Sequence, residues 1–230
     1  MEENRILRNH RVLRYTFKER VVHWISGLSY VYLLLTGLAF WSPWCFWIAV
    51  VLGGGSVSRL LHPWMGLVYT ASVLYMFGIW KQDMWITDKD RKWAKTIGAY
   101  VRNEEEEKLP EHAVREWQEW APVERFNLGQ KYLFWVMFWG GIVLLLTGLV
   151  LWFTDYIPWS LRFLRYASII LHPIAFLVTL AGFIIHVYMG TAVVRGGFTS
   201  IIRGEVTETW ARHHHRLWLD RILGNATARK

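Results

Sequence analysis

Three features of this sequence predict an all-α membrane protein built as a bundle of four transmembrane helices. Hydrophobic residues make up 53% of the chain. Four apolar stretches, about 21–41, 60–80, 131–152 and 166–194, are each long enough to cross a hydrocarbon layer of ~30 Å as a helix. Tryptophan occurs 16 times, often near the ends of these stretches, as in the aromatic belts of membrane interfaces.

In chain order, residues 1–20 are polar and basic, and no small-residue cleavage site follows the first apolar run. That run, 21–41, therefore reads as a retained helix rather than a signal peptide. Residues 42–59 open with Ser42-Pro43 and include Gly53-Gly54-Gly55; their apolar piece, 44–52, is too short to span and reads as interfacial or re-entrant. The second helix, 60–80, begins Leu60-Leu61-His62-Pro63, with the proline tolerated in the first turn. A polar loop, 81–130, carries the run Glu104–Glu107, read as a solvated face. The third helix spans 131–152, a short loop follows over 153–164, and the fourth helix spans 166–194. The tail, 195–230, is basic. The whole chain reads as one membrane domain.

Four spans put both termini and the middle loop on the same side. That side holds every Lys and Arg except Arg59, Arg162 and Arg165. Such asymmetry places both termini in the cytoplasm and the protein as a multi-pass component of the cytoplasmic (inner) membrane. The net charge of +8 thus needs no nucleic-acid partner; it faces membrane lipid.

Each imidazole in hydrocarbon needs compensation, and four lie in these spans. His172 and His186 are fourteen residues apart on the fourth helix. That is close to four turns, so they share a face, roughly 21 Å apart along the axis. The topology then fixes depth. His62 and His172 lie early in inward-running helices, on the outer side; His23 and His186 lie on the cytoplasmic side. Two pairs from different helices, at two levels, fit two bis-imidazole haems of b type, whose iron takes neutral imidazole as an axial ligand. Zinc would need more ligands than two imidazoles, and no carboxylate or thiol shares those depths. Gly27, Gly37, Gly66, Gly140, Gly141, Gly148 and Gly182 allow close helix packing and also make room for a porphyrin.

The remaining candidates read more plainly. The single cysteine, Cys45, supports neither an intrachain disulfide nor a thiolate cluster, so an iron–sulfur centre would belong to another subunit. His213-His214-His215 reads as a solvated juxtamembrane cluster touching headgroups or a partner; His10 and His112 read as surface residues. Arg59, Arg162 and Arg165 anchor the outer interface, with haem propionates as the alternative partner. Asn127, before the third helix, is placed to cap it.

Several stretches together resemble the γ subunits of respiratory formate dehydrogenases, four-helix di-haem cytochromes b. They are Arg20 to His23-Trp24, Arg59-Leu60-Leu61-His62-Pro63, Phe126-Asn127-Leu128-Gly129-Gln130-Lys131, His172 through His186-Val187-Tyr188-Met189, Ile202-Arg203-Gly204-Glu205-Val206 and Trp210-Ala211. The likeness covers roughly residues 12–220; the middle loop is longer and more acidic than expected for the family. It implies that His62 and His172 ligate an outer haem, and His23 and His186 an inner one. It also implies a menaquinone (or other quinone) site beside the inner haem, with Asn127 and Gly129 at its wall and Gln130 close by. The residue types are compatible: an amide can hydrogen-bond a quinone oxygen, and glycine lets a flat ring approach the backbone.

The expected function is electron transfer and quinone reduction within an oxidoreductase complex. An iron–sulfur β subunit on the outer side would supply electrons, and a molybdenum or tungsten α subunit would oxidise formate. This chain carries no site for that substrate, and the oligomeric state of the complex stays open. One rival within the class is the cytochrome b subunit of a nickel–iron hydrogenase or another quinone-linked oxidoreductase. A rival of another class is a haem-free membrane anchor, which would lack a b-type absorption band. A transporter is disfavoured, since the sequence shows no inverted repeat, no paired broken helices and no intramembrane carboxylates.

Overall fold

A computed structural model describes residues 5–7, 10–98 and 123–227. The run Glu104–Glu107 and His112 lie outside the described residues. Four helices are long and apolar enough to cross a membrane. Helix α1 is Phe17–Trp41, α3 is Gly55–Trp80, α5 is Leu128–Trp152 and α6 is Arg162–Tyr188. Between α1 and α3 come a 3-10 turn, Pro43–Cys45, and the short helix α2, Phe46–Val51. Helix α4 is Asp88–Ala94. After α6 come a π-helical turn, Met189–Val193, then α7 Gly197–Arg203, α8 Glu208–His214 and α9 Arg216–Thr227. Strands β1, Arg11–Leu13, and β2, Glu205–Thr207, form a small antiparallel sheet with Val12 opposite Val206.

Each long helix begins three to five residues before the hydropathy boundary, because its polar first turn is fixed by local chemistry that hydropathy does not register. Helix α1 opens with a capping box. Glu19 N–H donates to Thr16 Oγ1 at 3.3 Å, and Thr16 N–H donates to Glu19 Oε2 at 2.8 Å. Helix α3 starts directly after Gly53 and Gly54, whose φ values of 98° and 99° lie where a side chain would be strained. Pro63, expected from the sequence in the first turn, therefore lies inside α3. It leaves the Arg59 carbonyl without its usual helical donor, a cost tolerated in membrane helices when neighbours re-satisfy the group. Pro173, one residue after His172, does the same in α6.

The chain divides into two compact units. One comprises Val21–Ile79 and Trp135–Ile184, the membrane helices. Tyr30, Tyr69, Val73 and Phe138 form its buried cluster. Tyr30 O–H donates to Thr179 Oγ1 at 3.0 Å, and Phe77 stacks on Phe138 with ring centres 4.4 Å apart. A Cβ at Gly140 would collide with Thr179 Cγ2, so α5 and α6 meet backbone to side chain at that level. Ile169, Ile170, Leu177 and many other apolar side chains are exposed, as a lipid-facing surface requires.

The other unit comprises Met1–Arg20, Trp80–Phe134 and Ile185–Lys230. Its core joins the sheet to the tail through Val12, Val206, Ala211, Trp218 and Leu219. Gly204, at φ 85°, accepts backbone hydrogen bonds from Arg14 and Tyr15 at 2.8 and 3.0 Å. A Cβ there would lie 2.7 Å from the Tyr15 carbonyl oxygen, so the join admits only glycine.

Here the expectation of a solvated His213–His215 cluster is corrected. His214 and His215 are buried, at 5% and 2% exposure. His215 Nδ1 contacts the Glu124 carbonyl oxygen at 2.8 Å, and Arg14 lies 3.2 Å from its Nε2. Burial, with the Arg14 guanidinium beside it, pushes its pKa well below the ordinary imidazole value. Three histidines in a row among arginines look polar, but the turn between α8 and α9 folds two of them inward. His10 is exposed, as expected.

Arg14 is buried as well, though as one basic residue of a polar terminus it gave no such signal. It donates to the Arg125 carbonyl oxygen and stacks over Trp218 and Tyr15, 4.8 and 5.1 Å from the ring centres. Glu19 Oε1 takes Trp80 Nε1–H at 2.7 Å and Arg125 Nη2–H at 2.5 Å.

Candidate functional site

The site grows from the pattern Thr-Gly on one helix and His-Pro on the next. His62, on α3, and His172, on α6, face each other with ring centres 6.5 Å apart and planes at 55°. Two imidazoles that grip one metal from opposite sides through ~2 Å metal–nitrogen bonds stand about 6 Å apart, centre to centre. The observed separation fits that geometry.

Thr36, on α1, places Oγ1 2.7 Å from His62 Nδ1, and Thr147, on α5, places Oγ1 2.8 Å from His172 Nδ1. Each hydroxyl proton is already directed to its own helix: Thr36 donates to the Tyr32 carbonyl at 2.8 Å and Thr147 to the Val143 carbonyl at 2.6 Å. With its one proton so directed, each threonine oxygen is placed to accept from an imidazole Nδ1–H. In that tautomer Nε2 keeps its lone pair for a metal. A metal-bound histidine characteristically has its second nitrogen occupied in this way.

The glycine after each threonine clears the edge of the ring. A Cβ at Gly37 would reach His62 Cε1 at 3.9 Å; one at Gly148 would press on His172 Cε1 at 3.3 Å. Phe40 packs against His62 with ring centres 5.5 Å apart, while Trp64 and Trp152 meet edge to face at 5.3 Å. An apolar, aromatic wall around two neutral imidazoles suits a flat hydrophobic macrocycle better than a bare ion. Among the described residues no group of three or more His, Cys, Asp or Glu is placed to hold a metal ion. The donor set therefore fits haem and does not fit structural zinc.

The other sequence candidates fall as follows. His23 lies on α1 in the membrane unit; His186 lies on α6 and is exposed in the other unit. Asn127 and Gln130 form a reciprocal cap on α5. Gln130 N–H donates to Asn127 Oδ1 at 2.9 Å, and Asn127 N–H donates to Gln130 Oε1 at 3.0 Å. The capping reading of Asn127 is thus met, with the residue buried and Gly129 exposed. Lys131 Nζ pairs with Asp90 at 2.8 Å and donates to the Trp85 carbonyl, tying α4 to the start of α5. Burial favours the neutral acid at Asp90, but the Lys131 ammonium and the Thr87 donors outweigh it and lower its pKa.

Sequence reasoning missed Thr36 and Thr147. A signal was present: the run Leu-Leu-Leu-Thr-Gly-Leu occurs at 33–38 and again at 144–149. A Leu-His-Pro follows each, with the histidine 26 and 25 residues after the threonine. The two halves run in the same sense, so this is a parallel repeat, distinct from the inverted one sought in transporters.

Comparison with known proteins identifies the family. Residues 14–204 match the model for prokaryotic cytochrome b561. The chain is 31% identical to the formate dehydrogenase cytochrome b556(fdo) subunit of Escherichia coli (strain K12), over 92% of this chain and 93% of that one. It is 30% identical to the formate dehydrogenase cytochrome b556 subunit of Haemophilus influenzae, over 95% and 86%. It is 29% identical to the nitrate-inducible formate dehydrogenase cytochrome b556(Fdn) subunit of E. coli K12, over 95% and 94%. Matches of this length leave no large part of the fold unaccounted for, and the chain belongs to the prokaryotic cytochrome b561 family.

Proposed function

We propose that this chain is the membrane cytochrome b subunit of a formate dehydrogenase complex, carrying electrons from an outer iron–sulfur subunit to a quinone on the cytoplasmic side. Membership of a cytochrome b family and four apolar helices make it an integral membrane electron-transfer protein. The observation that carries the rest is the pair His62 and His172. Their rings stand 6.5 Å apart, each with Nδ1 tied to a threonine.

When bound, a b haem supplies a one-electron iron couple whose potential the protein sets through its ligands and their surroundings. The residues do the positioning. His62 and His172 would hold the iron through Nε2; Thr36 and Thr147 would fix the tautomer; Gly37 and Gly148 keep the ring edges clear. His23 and His186 form the second ligand pair in this reading, supported by their matched depth in the sequence topology. Asn127, Gly129 and Gln130 are assigned to the quinone, menaquinone or a relative. The side-chain carbonyls of Asn127 and Gln130 are committed to capping, so an amide N–H is the group that would donate to the quinone oxygen. Proton uptake on the cytoplasmic side and electron entry from outside would together charge the membrane.

The partners are an iron–sulfur β subunit and a molybdenum or tungsten α subunit, which oxidises formate. Both termini and the basic tail face the cytoplasm, in the inner membrane. Haem quantification of the purified complex tests the reading, with two haems per chain expected and one in His62→Ala. A full complement in that variant would remove His62 from the site. Unchanged absorption on dithionite reduction of the wild type would reinstate the haem-free anchor.

A further inference from the structure

The two threonines are not needed to close a helix, and neither lies at a helix end. Each sits more than a turn before the end of the long helix preceding its histidine, and each meets the same ring atom at nearly the same distance, 2.7 and 2.8 Å. Thr36 is fully buried and Thr147 nearly so. A glycine follows each one and faces the Cε1 edge of the same ring. Two independent copies of one device, Thr-Gly against His, argue for a shared task rather than incidental packing.

We infer that Thr36 and Thr147 are positioning residues that hold the outer haem's ligands as Nδ1–H tautomers and keep its potential low. This rests on the haem assignment to His62 and His172 made above. A hydroxyl that accepts from Nδ1–H makes Nε2 a stronger donor, which favours the oxidised iron. It also locks ring rotation, since the threonine is itself anchored to a backbone carbonyl one turn back. Serine would keep the acceptor and lose only a methyl; valine would keep the shape and lose the acceptor. At His62 valine also takes away the acceptor that faces a buried N–H, which turns the ring or strains it.

The experiment is redox titration and low-temperature electron paramagnetic resonance on purified complexes carrying Thr36→Val, Thr147→Val, both together, and Thr36→Ser. Expected are a positive shift of one of two midpoint potentials in each valine variant and a larger one in the double variant. The low-spin signal of the same centre should move, and serine should restore both readouts. Should valine instead release the outer haem, rescue by serine carries the inference equally, because serine keeps the hydroxyl of threonine and lacks its methyl. Loss in serine as well as valine would overturn it, since the hydroxyl alone would then not hold the ring. Unchanged potentials and spectra in the double variant, with both haems present, would overturn it too. The underlying assignment is checked separately: a His62→Ala complex that keeps full haem content sinks the haem reading, whatever the threonines do.

Discussion

A histidine in an apolar helix must answer for its second nitrogen. At His62 and His172 the answer is a threonine from a neighbouring span, which fixes the orientation of an otherwise flexible ring. The same logic makes Gly148 sensitive. A Cβ there already comes within 3.3 Å of His172 Cε1, and a branched side chain would drive the ring from its place. Gly148→Val is expected to insert into the membrane at normal levels yet carry about half the wild-type haem, read by haemochrome absorbance against protein content. Gly37→Ala should be nearly silent by the same assay, because its Cβ would make only an ordinary contact at 3.9 Å.

At the scale of an element, the first turn of helix α5 carries the residue that the proposed function also assigns to the quinone. Asn127 caps the helix through Oδ1, and removal of such a cap costs ~1 kcal/mol. Asn127→Ala should therefore lower thermal stability slightly and slow reoxidation of the haems by quinone. Asn127→Ser separates the roles, since serine caps as well but has no amide. Slow reoxidation with normal stability is expected in Asn127→Ser, measured by stopped-flow absorbance; wild-type kinetics would limit Asn127 to capping. Further along α5, Gly140 lies against buried Thr179. Gly140→Leu overpacks that crossing, at a cost of roughly 1–3 kcal/mol, and should shorten the half-life of the detergent-solubilised protein at elevated temperature.

For the molecule as a whole, the unit outside the membrane helices is held by buried charge. Arg125 bridges Glu19 and Asp83, Arg14 lies among aromatic rings, and His215 is held neutral between Arg14 and the Glu124 carbonyl. The sign of the pH effect follows. His215 has a folded pKa well below its unfolded value near 6.5. Above ~6.5 both states leave it neutral and the stability is intact; below, only the unfolded chain takes the proton. Stability is then lost at up to about 1.4 kcal/mol per pH unit as pH falls from ~6.5 toward the folded pKa. Protection factors for hydrogen exchange over 208–223, which remove the intrinsic pH dependence of exchange, should fall between pH 7 and pH 5.5 in the wild type and much less in His215→Gln. An equal fall in both would assign the effect to other groups.

The sequence by itself determined the four spans and singled out the histidines within them, because hydrocarbon penalises polar groups so heavily that their positions are legible one at a time. Helix rise and the expected topology assigned each histidine a depth, which the proposed function uses. Tertiary structure decided what backs His62 and His172. Thr36 and His62 lie 26 residues apart on different helices, and only packing brings hydroxyl to ring. It likewise decided the fate of Arg14, His214 and His215, which look like solvent-facing residues in a basic tract and are buried. A buried charge or imidazole is stable only with partners far along the chain, such as Arg125 and Glu124, and no local pattern of residues announces partners that remote.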